Sequence, residues 1–94
     1  MSELMNYLSR AVEEQASDLF LVAGGPVNMK LDGRLRPISE QKLLPVDSET
    51  LIREMYAMAN RPMEQYLATG DDDFSFSLPG VARFRVNTYR QRGS

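Results

Sequence analysis

The chain has 94 residues, 43% of them hydrophobic and 26% charged, and a net charge of −2 at pH 7. This length suffices for one small domain and not for two. The sequence contains neither cysteine nor histidine, which excludes disulfides, thiol nucleophiles, imidazole bases and nearly all transition-metal sites. We therefore expect a single domain over residues 1–94, without a metal or cofactor site of its own.

The N-terminal segment MSELMNYLSRAVEE is too polar and too acidic for a signal peptide, and no apolar run approaches the length of a membrane span. We therefore predict a cytoplasmic protein. The charges are distributed unevenly, because residues 1–80 contain seven basic and thirteen acidic side chains, whereas residues 81–94 contain four arginines and no acid. This distribution does not favour a general attraction to nucleic acid, but it indicates a local anion site near the C-terminus.

The first part of the chain predicts one helix, one buried strand and one hairpin. Apolar residues at helical spacing predict a helix over residues 3–15, with Ser2 as its N-cap. The apolar run from Leu19 to Val22 predicts a buried strand that ends at a Gly-Gly-Pro loop. An Asp-Gly dipeptide separates residues 27–31 from residues 34–38, which is a strong signal for a β-hairpin.

The middle of the chain predicts two more helices. Asp47 is placed to cap the first of them, and Asn60 to cap a shorter second one that carries Pro62 in its first turn and ends at Gly70. The expected buried residues are Leu51, Ile52, Met55 and Met58 in the first helix, and Met63, Tyr66 and Leu67 in the second.

Two alternating segments, DDDFSFSL and ARFRVNTY, flank a Pro-Gly pair and predict a second hairpin. A two-residue turn would place arginines opposite phenylalanines, whereas a shift by one residue pairs Phe76 with Phe84. Burial therefore favours the shifted register, with a three-residue loop or a bulge. In that register Arg83 and Arg85 lie on the outer face without a carboxylate directly opposite, and only Asp73 lies diagonal to Arg85. Such guanidinium groups suit an external anion, although a solvated strand face is an equal alternative.

Other motifs carry little chemistry. Neither lysine, Lys30 nor Lys42, follows a glycine, so the chain contains no P-loop and no catalytic residue is expected in it. The run Asp71–Asp73 is interpreted as a solvated strand start rather than a metal site, because consecutive strand side chains point to opposite faces. A nucleic-acid groove is disfavoured, since Tyr89 is the one outward aromatic residue expected among the arginines.

Three blocks in order, ASDLFLVAGGP, LDGRLRPI and DDDFSFSLPGVARFRVNTYRQRG, resemble the N-terminal domain of the type IV pilus retraction ATPases. These are the PilT-like twitching-motility motors of the type II/IV secretion ATPase superfamily. The resemblance covers essentially the whole chain. It implies a PAS-like α/β (α+β) domain, with a mostly antiparallel sheet and three helices. It also implies that a RecA-like ATPase domain, absent from this chain, would follow.

The resemblance implies a role in a hexameric motor, with ATP and Mg²⁺ in the parent protein. The domain would form part of the interdomain nucleotide site and transmit motion. Arg85 in the RFRVN block is the expected phosphate contact, and Arg83 and Arg92 are supporting candidates. The implied partners are RecA-like domains of the same and neighbouring subunits and the pilus machinery of the inner membrane. The chain departs from the family at Phe20, where a histidine is usual, so no function is carried onto that residue, which is interpreted as a packed strand aromatic.

Three alternatives stay open at this point. Within the superfamily, the chain could be the N-terminal domain of a type II secretion or pilus-assembly ATPase. Outside it, a PAS-like sensor of a small ligand and a protein-interaction module with a basic docking strand are the two rival classes.

Overall fold

The sheet and its helices are described by a computed structural model for residues 3–38 and 45–90. Three helices cover one face of a five-stranded sheet, which confirms the expected α+β class. The helices are α1 (Glu3–Glu13), α2 (Pro45–Met58) and α3 (Glu64–Thr69). The strands are β1 (Asp18–Ala23), β2 (Asn28–Leu31), β3 (Arg34–Pro37), β4 (Asp71–Leu78) and β5 (Ala82–Arg90).

The strand order is β3-β2-β1-β5-β4, and only the pair β1–β5 among the described strands is parallel. A parallel pair needs a long connection that crosses one face of the sheet. Here that connection contains the first hairpin and all of α2, α3 and β4. The sheet is therefore mostly antiparallel, as predicted, with β1 and β5 side by side in its interior.

Both predicted hairpins form. In β2–β3, Asp32 and Gly33 have φ angles of 50° and 79°, which matches the type I′ turn that this dipeptide favours. In β4–β5, Phe76 pairs with Phe84, and three residues separate Leu78 from its partner Ala82. The shifted register inferred from burial is therefore confirmed.

The predicted helix boundaries need three corrections. The helix α1 ends at Glu13 rather than at residue 15. The helix α2 begins at Pro45, so Asp47 lies inside its first turn and is not the cap; proline suits that first helical position because its missing N–H would have no partner there. Asn60 has a φ of 52° after the end of α2 and does not cap α3, which begins at Glu64 without a side-chain cap.

Other boundary predictions have different outcomes. Gly70 ends α3 in the left-handed conformation, as expected. The predicted cap Ser2 lies outside the described residues. In the middle of the chain, Met58 and Leu67 were expected to be buried and are instead 37% and 53% exposed.

The core lies between the helices and the covered face of the sheet. Each strand next to the helices presents alternate residues to this core, because successive strand side chains point to opposite faces. On β5 these residues are Phe84, Val86 and Thr88. The other core residues include Leu4, Leu8, Leu19, Leu21, Ile52, Met55, Tyr56, Phe74 and Phe76.

Candidate functional site

The opposite face of the sheet carries the arginines singled out from the sequence. Arg83 and Arg85 alternate with the buried residues of β5 and are both exposed. They lie opposite Ser77 and Ser75 of β4, as the shifted register requires. Residues two apart on a strand are roughly 7 Å apart, so the two guanidinium groups can act on one ligand.

Arg85 has an internal partner, contrary to the sequence-based expectation. Its Nε and Nη2 atoms donate hydrogen bonds to Oδ1 and Oδ2 of Asp73, at 3.0 Å and 2.6 Å. The diagonal carboxylate is thus close enough for a bidentate pair, the geometry that a guanidinium offers to carboxylates and phosphates alike. Hydrogen bonding to Arg85 lowers the pKa of Asp73, and the same bonds raise the pKa of Arg85.

The Arg85–Asp73 pair is open to solvent. The two side chains are 63% and 42% exposed. Exposed ion pairs contribute little to stability, because water solvates both charges well when they separate. An incoming anion can therefore replace Asp73 without a large loss of stability.

Two neighbours complete this surface. Asp18 begins β1 and is the Cα partner of Arg85 across the parallel pair; its carboxylate accepts a hydrogen bond of 2.6 Å from the Ser17 hydroxyl. The side chain of Arg83 makes no ion pair or hydrogen bond within the part of the chain that the structure describes. Arg92, the third candidate, lies outside the described residues. We call the exposed face formed by Asp18, Asp73, Arg83 and Arg85 the arginine face.

Phe20 lies on the same side of the sheet. Its neighbours in the chain, Leu19 and Leu21, are core residues, whereas Phe20 is only partly buried and does not belong to the core cluster. It pairs with Asn28 of β2 and Asn87 of β5. Phe20 is therefore a partly exposed residue on a polar face rather than a packed core aromatic.

The interpretation of Asp71–Asp73 as a solvated strand start is wrong for its middle residue. Asp72 is 6% exposed and points towards the core. It accepts hydrogen bonds from Nε and Nη2 of Arg61 at 2.9 Å and 3.0 Å, and one from the Tyr56 hydroxyl at 2.8 Å. The alternation of burial along β4 could have indicated that Asp72 faces the core, since Asp72 shares a face with Phe74. The alternation could not have indicated its partners, because Tyr56 belongs to α2 and Arg61 follows that helix.

A polar cluster results, which consists of the buried residues Tyr56, Asp72 and Thr88 and the partly exposed Arg61. The Tyr56 hydroxyl and the Thr88 hydroxyl lie 2.7 Å apart. Burial raises the pKa of Tyr56, while hydrogen bonds from Arg61 lower the pKa of Asp72. The cluster fixes α2 against β4 and β5, on the reverse side of the strand that carries Arg85.

Arg90 also has an internal role. Its guanidinium lies 5.3 Å from the centroid of the Tyr66 ring and donates a hydrogen bond of 3.1 Å to the carbonyl oxygen of Leu67. It thus joins the end of β5 to α3. Among residues 81–90, which the structure describes, Arg83 and Arg85 lie on the arginine face and Arg90 does not.

Two type IV pilus ATPases are similar in sequence to almost the whole of this chain. The type IV pilus retraction ATPase PilT of Pseudomonas aeruginosa is 37% identical over an alignment 93 positions long, which covers 95% of this chain and 25% of the relative. The type IV pilus ATPase PilU of the same organism is 34% identical over an alignment 91 positions long, which covers 96% of this chain and 23% of the relative. No family model matches the chain.

A solved structure matches as well. The crystal structure of the pilus retraction motor PilT with bound ADP superposes on 100% of this chain and 27% of its own, with a TM-score of 0.65 and 34% sequence identity. The chain therefore spans about a quarter of the length of the relatives that it matches.

Proposed function

This chain is the counterpart of the N-terminal domain of the PilT-like pilus retraction ATPases, and from that premise we propose that it serves in a hexameric, ATP-hydrolysing motor that retracts type IV pili. In this proposal the domain contributes the arginine face to the interdomain nucleotide site and transmits motion. Its partners are the RecA-like domains of its own and neighbouring subunits and the pilus machinery at the inner membrane. The RecA-like domain holds ATP and Mg²⁺, and this chain supplies guanidinium groups to the phosphates.

The observation that carries this proposal is the exposed bidentate pair between Arg85 and Asp73. A guanidinium that already forms two parallel hydrogen bonds to a carboxylate has the geometry to form them to a phosphate. Arg85 can therefore alternate between Asp73 in the absence of nucleotide and a phosphate oxygen in its presence. Because Arg83 is on the same face and unpaired within the described part of the chain, it can add a second positive charge.

The exchange of partners suggests how nucleotide state is coupled to movement. When Arg85 binds phosphate, it draws the β4–β5 hairpin towards the nucleotide, and positive charge near the γ-phosphate stabilises the transition state of transfer. When phosphate leaves, Asp73 recaptures the guanidinium and the contact between the domains is lost. The polar cluster behind β5 keeps the strand in register during this exchange.

The motor's place at the membrane is also part of the proposal. No helix among residues 3–38 and 45–90 is long and apolar enough to cross a membrane. The proposed position is peripheral, on the cytoplasmic side of the inner membrane, reached through the pilus machinery.

The test is steady-state ATP hydrolysis by the full-length protein that contains this domain, with hexamer formation followed by light scattering. We expect Arg85→Ala to lower turnover about tenfold or more while the hexamer persists. Arg85→Lys should recover only part of the activity, because an ammonium group cannot form the bidentate contact. The matched control is Arg53→Ala, since the Arg53 side chain is also 63% exposed and belongs to a longer ion pair of 3.9 Å on α2. Unchanged turnover in Arg85→Ala would remove the arginine face from the nucleotide site.

A further inference from the structure

A second basic surface lies at the other end of the sheet. The last turns of α1 and the β2–β3 hairpin enclose a groove, and β3 forms one edge of the sheet. All four residues of β3 are exposed, and Leu35 is 58% exposed. The charged residues that line the groove are Arg10, Glu14, Asp32, Arg34 and Arg36.

These charges are not equally available. The Nε atom of Arg10 in α1 lies 3.6 Å from Oε1 of Glu14, the residue that follows the helix, and the two form an ion pair. Arg34 and Arg36 make no ion pair or hydrogen bond through their side chains within the described ranges. They are two positions apart on β3, so their side chains point to the same face and emerge roughly 7 Å apart. The groove therefore offers two uncommitted guanidinium groups in a row.

The backbone of β3 is also available. In an antiparallel sheet, alternate residues of an edge strand direct their N–H and C=O groups away from the partner strand, and no strand in the described part of the chain pairs with the outer edge of β3. Arginines and Pro37 on such an edge have a protective effect, because charge and proline discourage another strand from pairing. The part due to the arginines is selective by charge, since it repels a basic strand and favours an acidic one, whereas Pro37 removes one N–H donor from the edge for any partner.

We propose that the β3 edge binds an extended acidic segment of a partner protein as a sixth strand. Carboxylates at alternate positions of that segment pair with Arg34 and Arg36, and the residue between them packs beside Leu35. An anionic lipid surface could use the same arginines, but it would leave the backbone groups of the edge without partners. Addition of a strand uses both features, since the main chain supplies affinity and the alternate side chains supply specificity. This surface is separate from the arginine face and does not depend on nucleotide.

The experiment titrates the 94-residue chain with a short synthetic peptide that alternates Glu and Val, with backbone amide shifts recorded by NMR. We expect the largest shifts in β3, and affinity about tenfold weaker in the double variant Arg34→Glu/Arg36→Glu. The variant Arg53→Glu, a charge reversal on α2 outside the groove and outside the arginine face, should bind normally. A peptide of the same sequence with methylated backbone nitrogens should bind poorly, because it cannot donate hydrogen bonds to the edge.

Three results would overturn the proposal. Equal binding by the methylated peptide would show that the surface binds the peptide by charge attraction alone. Equal binding by the Arg34→Glu/Arg36→Glu variant would show that the peptide binds elsewhere on the chain. Binding to phosphatidylglycerol vesicles without binding to the peptide would make the surface a lipid contact. None of these results involves ATP hydrolysis, so they leave the proposed function untouched.

Discussion

Arg61 holds the buried carboxylate of Asp72 with two hydrogen bonds, Nε to Oδ2 at 2.9 Å and Nη2 to Oδ1 at 3.0 Å. The side chain of Asp72 is 3% exposed and that of Arg61 is 38% exposed. The guanidinium also lies 4.8 Å from the centroid of the Phe74 ring. This one ion pair therefore ties the segment between α2 and α3 to the first half of β4.

Removal of the buried carboxylate should destabilise the domain. Asp72→Ala leaves Arg61 and the Tyr56 hydroxyl without their shared acceptor, and we expect the free energy of unfolding to fall by about 2–3 kcal/mol. Asp71→Ala, one position earlier and exposed, should change it by less than about 0.5 kcal/mol. Urea unfolding of both variants makes the comparison, and equal losses would contradict the assignment of Asp72 to the core.

The same carboxylate predicts an acid dependence. Hydrogen bonds from Arg61 are the main reason why the pKa of Asp72 is lowered. A group with a lower pKa in the folded state stabilises the fold fully above its unfolded pKa of about 3.9 and loses that contribution as the pH falls through the folded pKa. The wild-type chain should therefore lose stability as the pH falls below about 4, and Asp72→Ala should lose less over the same interval. Parallel pH profiles for the two proteins would count against this account.

Two buried tyrosines should respond oppositely to loss of the hydroxyl group. The Tyr56 hydroxyl contacts Asp72 and Thr88, whereas the Tyr66 hydroxyl is buried without a hydrogen-bond partner in the described part of the chain. We expect Tyr56→Phe to cost about 1–2 kcal/mol, and Tyr66→Phe to be neutral or stabilising by up to about 1 kcal/mol. Thermal unfolding of the two variants provides the test. A larger loss of stability for Tyr66→Phe than for Tyr56→Phe would contradict the assignment of the hydrogen-bonded hydroxyl to Tyr56.

The sequence predicted features that depend on neighbours in the chain or on the alternation of burial. The predicted β2–β3 hairpin follows from the positive φ angles that Asp32 and Gly33 tolerate. The β4–β5 register follows from the need to pair Phe76 with Phe84 on the buried face. These choices are local, and the rest of the fold does not overrule them.

The failures concern side-chain contacts beyond directly opposite or adjacent residues, and in one case the local backbone conformation of a single residue. The sequence-derived register placed Asp73 diagonal to Arg85 without predicting a pair between them, but the long guanidinium reaches that diagonal carboxylate. Asp72 was interpreted as part of a solvated strand start, and the sequence did not reveal its partner, because Arg61 is not adjacent in sequence and follows a different element. Asn60 was assigned as a helix cap, yet its backbone adopts positive φ, a role that asparagine tolerates equally well.

Phe20 and Phe84 provide a final test of the two faces of the sheet. Both are strand phenylalanines, but Phe84 is 2% exposed in the core and Phe20 is partly exposed beside Asn28 and Asn87. We expect Phe20→His, which introduces the residue usual in the resembled family, to change the free energy of unfolding by less than about 1 kcal/mol. Phe84→His should cost about 3 kcal/mol or more, because it leaves a cavity and buries a polar ring. Urea unfolding above the pKa of histidine separates the two variants. Comparable losses would mean that Phe20 supports the core and that the polar face is not free to contact a partner.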